Sequence, residues 1–189
     1  MLFLWIVIGL FLAVVVWLGC FTLLSYFVGR SRRQTEFLNG RSPSPGPEGF
    51  YDGSAYLLGN FRVPWLGKSF ESVNAKGFNI FTPAGRSMLK VLTPLYRGFR
   101  VNRDGNTDAY YFNTSTGPGF RDPGIETFKL DYDSPENPFL IRIILDEIVE
   151  VAPQEFLGKV HVKVFPGYYA TIGFFGLKRE ADAPGVRPD

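Results

Sequence analysis

One cysteine and one histidine are all that 189 residues provide of the two side chains most used in metal ligation and nucleophilic sites. Cys20 lies inside the first hydrophobic run and His161 stands alone. Neither a His/Cys metal site nor a Ser-His-Asp or Cys-His arrangement can therefore be assembled in the usual way. No disulfide can be built outside that run, which agrees with a reducing compartment. Gly-rich phosphate loops and dinucleotide fingerprints are missing, and Gly117-Pro-Gly119 reads as a turn with no helical pattern after it. A net charge of only +2, with no basic stripe interleaved with aromatics after Arg41, argues against nucleic acid as a partner. Charge is scarcest at the start, where residues 1–29 contain no Asp, Glu, Lys or Arg.

That run is long enough for a membrane. At about 1.5 Å per residue it extends roughly 40 Å, against approximately 30 Å of bilayer hydrocarbon. A cleavable signal would need a basic start, a shorter apolar core and a small-residue cleavage site. The sequence offers none of these, so the run is read as a retained anchor rather than a signal or a buried core helix. Arg30, Arg32 and Arg33 follow it directly and carry the topology signal. The positive-inside bias then places the N-terminus outside and the rest of the chain in the cytoplasm, on the inner membrane. Trp5, Tyr26 and Phe27 suit the two interfaces, and Trp17 reads as a packing residue. Gly9, Ala13, Gly19 and Ser25 are candidate helix-packing positions, because small side chains let helix backbones approach in lipid.

Residues 30–49 read as a basic and then Pro/Gly/Ser-rich linker, with 41–49 holding the chain extended. About 140 residues remain, enough for one domain. In them, short hydrophobic runs alternate with Gly and Pro, as in a barrel or sandwich rather than in βαβ units. The expected strands are Phe50–Leu58, Lys68–Val73, Gly77–Phe81, Leu95–Asn102, Ala109–Asn113, Thr127–Tyr132, Phe139–Leu145, Ile148–Val151, Phe156–Val164 and Tyr168–Leu177. One soluble helix, Ala84–Leu92, is expected between Pro83 and Pro94. Arg103-Asp-Gly-Asn106 predicts a tight hairpin, and Gly173 with Gly176 a bend or close approach. The fold class is thus one transmembrane helix plus a mainly antiparallel, lipocalin-like β-barrel over residues 50–180, with residues 181–189 as a flexible tail. The inward-facing candidates are Trp65, Phe70, Phe78, Phe99, Tyr111, Phe128, Ile143, Leu157 and Phe174. In Val160-His-Val-Lys-Val164 the alternation puts His161 and Lys163 on a wet face.

The segment Leu58-Gly-Asn-Phe-Arg-Val-Pro-Trp-Leu-Gly-Lys-Ser-Phe70 resembles a degenerate Gly-x-Trp-x-Gly motif followed by Gly-Lys-x-Phe in small lipocalin-like (calycin-type) bacterial proteins of unassigned function. Phe61 stands where that group has Trp. Leu130-Asp-Tyr-Asp, Ile141-Arg142, Asp146-Glu-Ile-Val149, Phe156-Leu-Gly-Lys159 and Phe175-Gly-Leu-Lys178 are similar to the group's order of elements. The resemblance implies a barrel without implying an activity.

Carboxylates are what remains for chemistry. Asp131, Asp133, Asp146, Glu147 and Glu150 gather around one expected hairpin and read first as solvated acids. The alternatives are a salt-bridge network with Arg142 and Lys159, a pair with split pKa values for acid/base work, or a metal site. A calcium loop over Asp131, Asp133 and Glu136 would lack the Gly and the distal Glu of an EF-hand. No catalytic, cofactor or metal residue is assigned. The function expected is a non-catalytic accessory subunit of a larger integral-membrane complex, of respiratory or photosynthetic type. Its partners would be other membrane subunits and membrane lipid. The alternative is an anchored barrel that binds a hydrophobic small molecule.

Overall fold

The computed structural model describes residues 1–56 and 64–179. The apolar run forms a single helix α1, Leu2–Gly29, and its span Trp5–Gly29 is long and apolar enough to cross a membrane. Ser31 then accepts a bond from the Gln34 amide and caps a second helix, α2, Arg32–Leu38. Here the linker reading is corrected. Its first half is a docked helix whose Phe37 is fully buried, and Arg41 bridges to Glu150 through backbone and side chain.

The strands are β1 Gly49–Ala55, β2 Trp65–Glu71, β3 Lys76–Phe81, β4 Arg100–Val101, β5 Thr107–Pro118, β6 Glu126–Asp131, β7 Ile144–Ala152, β8 Glu155–Phe165 and β9 Tyr168–Lys178. They pair in the order β3-β2-β1-β9-β8-β7-β6-β5, and β5 returns to β3, which closes an eight-stranded antiparallel barrel with β4 as a short flank of β5. Closure leaves no edge among those eight strands to recruit another chain.

Helix α3, Pro83–Leu92, starts where Thr82 accepts the Gly85 amide, with Pro83 in its first turn, and lays Leu89 on the core. The hairpin at 102–106 forms as its sequence demands: Asn102 Oδ1 accepts two turn amides and Gly105 takes φ +77°. At Gly158 a Cβ would lie 2.1 Å from the buried Phe175 ring, so β8 requires glycine there; at Gly176 it would lie 2.5 Å from the hydroxyl of the exposed Tyr56.

Two expected strands differ. Residues 139–142 form a helical turn, α4 Phe139–Arg142, because Pro138 sets the backbone angle that starts it, and β7 begins only at Ile144. Pro94 and Gly98 interrupt residues 95–102, of which only Arg100 and Val101 join the ladder. The expected tail at 181–189, and residues 57–63 of the motif segment, lie outside the described residues.

The barrel interior is filled by rings and aliphatic groups, among them Tyr51, Phe70, Phe112, Leu130, Ile148 and Leu177. Phe70 belongs there, and Trp65, Phe99 and Phe128 pack against it, partly buried; Ile143 is half-buried at the mouth of β7. Four other inward-facing assignments are corrected. Phe78 and Tyr111 pair their rings at 5.8 Å while half-exposed, since Tyr110 and Phe112 on either side of Tyr111 take the interior positions. Leu157 and Phe174 join Phe37 and Val149 in a second cluster, which lies on the outer face of the barrel beneath α2, with Val28 at its margin.

Candidate functional site

Three features of the molecule concentrate polar chemistry or unpartnered surface: an ion pair inside the barrel, a hydrogen-bonded chain outside it, and the long apolar helix α1.

Inside, Lys68 of β2 meets Asp146 of β7. The ammonium donates to Asp146 Oδ2 at 3.0 Å, to Asn79 Oδ1 at 2.9 Å and to the Tyr132 hydroxyl at 2.5 Å. Tyr132 in turn donates to Asp146 Oδ2, and the Trp65 indole donates to Asn79 Oδ1. Four rings, of Trp65, Phe112, Tyr132 and Phe175, surround the ammonium at 4.9–5.5 Å. Burial pushes the Lys68 pKa down, against the opposing pull of Asp146, and pushes the Tyr132 phenol well up, with Asp146 adding to the rise. Asp146 Oδ1 has no hydrogen-bond partner among the described residues. The solvated reading of Asp146 is therefore overturned: it is 3% exposed. The clefts described, of about 260 to 780 Å³, are lined by other residues, and none of them opens on Lys68 or Asp146. With all three ammonium protons directed at protein acceptors, the pair ties β2, β3, β7 and the residue that follows β6 together across the interior.

Outside, Glu147 is fully buried as well, so it too is corrected from a solvated acid. Its Oε1 accepts the Phe120 amide at 2.7 Å and the Thr127 hydroxyl at 3.1 Å, and its Oε2 lies 3.0 Å from His161 Nε2. His161 Nδ1 lies 3.1 Å from the Thr171 hydroxyl, and the Thr171 amide donates to Ser25 Oγ of α1 at 3.1 Å. His161 is likewise fully buried and not on a wet face. The alternation along β8 is as the sequence has it, but α1 and the loop 119–125 cover that face. Burial raises the Glu147 pKa, yet the His161 ring, the Phe120 amide and the Thr127 hydroxyl outweigh it and hold the carboxyl below its ordinary value. Beside this chain, Lys159 donates to Asp122, which also accepts from Gln34 of α2. Glu147, His161 and Thr171 have the connectivity of a catalytic triad. Thr171 is 3% exposed beneath the helix, so the arrangement fastens the helix to the barrel.

The remaining acids stay at the surface. Asp131 Oδ1 accepts the Asp133 amide, and Asp133 Oδ1 pairs with Arg142. Among the described residues no group of three His, Cys, Asp or Glu side chains could hold a metal ion.

Helix α1 meets the barrel by one stripe. Leu18, Phe21, Ser25 and Val28 are covered to some degree, whereas residues 5–17 are exposed all round. At 100° per residue, Gly9 and Leu23 fall on the opposite side and Ala13 on its flank. A Cβ at Gly9 or Gly19 would have nothing within 4 Å. Ser25 serves the barrel rather than a neighbouring helix. Arg30 stacks on Tyr26, and Arg33 pairs with Glu36 and covers the Tyr56 ring. Cys20 is exposed on the helix.

These features define an eight-stranded antiparallel barrel carried on a single long apolar helix. Comparison with protein-family models, curated proteins and solved structures gives no match.

Proposed function

We propose that this chain is a non-catalytic accessory subunit of a larger integral-membrane complex, held in the inner membrane by α1, with its lipocalin-like barrel as a cap on the cytoplasmic side. The observation that carries this reading is the helix surface. The barrel covers one stripe of α1, yet the opposite side stays apolar and uncovered, with Leu23 60% exposed at the level where the barrel docks. Gly9 and Ala13 give the same side a small-xxx-small spacing, at which another helix can approach closely. A partner helix along that side would cover both groups. A filled interior supports this reading over a barrel that holds a hydrophobic ligand.

The test is purification of the tagged full chain in mild detergent, followed by particle size and absorption spectra. A large particle is expected, and Gly9→Leu or Ala13→Leu should reduce the yield of co-purified partner. A small particle that carries lipid, unchanged by either substitution, would overturn the subunit reading.

A further inference from the structure

Strand polarity sorts the loops of the barrel between two ends. β1, β3, β6 and β8 finish at the end where β2, β5, β7 and β9 begin, so the segments 82–106, 132–143 and 166–167 all sit there. Helix α1 runs beside β9 in the same direction, with Ser25 at Thr171 and Val28 against the cluster that holds Phe174. Its N-terminal part therefore continues past this same end.

That end is apolar where it is most exposed. Val91, Leu92 and Leu95 are 79%, 60% and 92% exposed, and Phe139, Leu140 and Phe165 are 75%, 61% and 48% exposed. They adjoin one another: Leu92, Leu95, Phe139 and Leu140 line a single cleft of about 430 Å³, and the Lys163 amide donates to the Ile143 carbonyl, which ties α4 to the tip where Phe165 stacks on Tyr168. Behind this rim, residues 82–106 carry Arg86, Lys90, Arg97, Arg100 and Arg103 against one acid, Asp104.

The length of the span fixes where the rim stands. Crossing the hydrocarbon takes about 20 residues, and any 20 consecutive residues of Trp5–Gly29 include positions 18–24, which already lie beside the barrel. The end from which the helix emerges is thus held at bilayer depth.

We propose that this rim, Val91, Leu92, Leu95, Phe139, Leu140 and Phe165, is a second membrane contact that sinks through the headgroups to the acyl-chain boundary of the leaflet, with Lys90 and Arg97 facing anionic lipid. The inference rests on α1 being a membrane span. It fixes the barrel's tilt, which one helix alone would leave free to rotate.

The test uses the full chain with Cys20→Ser, reconstituted without other proteins in phosphatidylcholine/phosphatidylglycerol vesicles. Nitroxides are placed at Leu95→Cys, Phe139→Cys, Val14→Cys in the span and Val73→Cys at the opposite end of the barrel. Labels at 14, 95 and 139 should collide severalfold more with oxygen than with a nickel chelate, and the label at 73 should do the reverse. Chelate-accessible labels at 95 and 139 with an oxygen-accessible label at 14 would overturn the rim and leave the anchor standing. Chelate access at all four would overturn the anchor as well. Labels at 95 and 139 shielded from both reagents would mean cover by another copy of the chain, and would overturn the lipid contact.

Discussion

Ser25 Oγ, on helix α1, accepts the backbone amide of Thr171, 146 residues further along the chain, at 3.1 Å. A buried amide of β9 is thereby satisfied by the helix instead of by a strand, which makes α1 part of the barrel's fold. Removing the acceptor leaves a buried donor unpaired, at a cost of about 1–3 kcal/mol. Ser25→Ala should lower the melting temperature in detergent and speed exchange of the Thr171 amide. Unaltered exchange at that amide would mean that the helix does not depend on this bond.

The Lys68–Asp146 pair invites a double-mutant cycle. Removing one partner strands a buried charge and typically costs about 3–5 kcal/mol, whereas replacing both with apolar groups of similar size is often close to neutral. Asp146→Asn should be strongly destabilising, and Lys68→Met together with Asp146→Leu should recover most of the loss. Additive losses in denaturant titrations would show that the two groups are not coupled.

Acid should loosen the outer face. Because the folded-state pKa of Glu147 is depressed, its contribution is present above the ordinary value of 4.5 and is lost as pH falls through the folded value. Stability should therefore drop below about pH 4.5. Glu147→Gln should be less stable at neutral pH and show a shallower loss in acid. A slope equal to that of the parent protein would remove Glu147 from the account.

Orientation is open to a direct test. With Arg30, Arg32 and Arg33 as the signal, a reporter fused after Asp189 should be active in the cytoplasm and silent outside. Activity on the outer side would reverse the topology and the localisation together.

Much of this protein follows from local pattern alone. A run without charge can only be an apolar helix or a span, Thr82-Pro83 starts a helix, Asn102 to Asn106 closes a hairpin, and Gly/Pro spacing marks short strands; each depends on neighbours a few residues apart. The buried acids could not be read in that way. Asp146 and Glu147 are adjacent and point to opposite sides of β7, one into the barrel toward Lys68 and the other out toward His161. Alternation requires one of the two to be outside, but whether outside means water depends on what lies over the sheet. In this chain α1, α2 and the loop 119–125 cover that face, and they come from positions up to 146 residues away. The same cover made Leu157 and Phe174 core residues of a second cluster on the far side of the strands from the lumen. Sequence determined most of the strands, the helix after Pro83 and the turn at 102–106, because those depend on local backbone and side-chain preferences; it misread 32–38 and 139–142, which are helical. Only the tertiary structure decided which face of each strand is dry, because burial is set by segments distant in the chain.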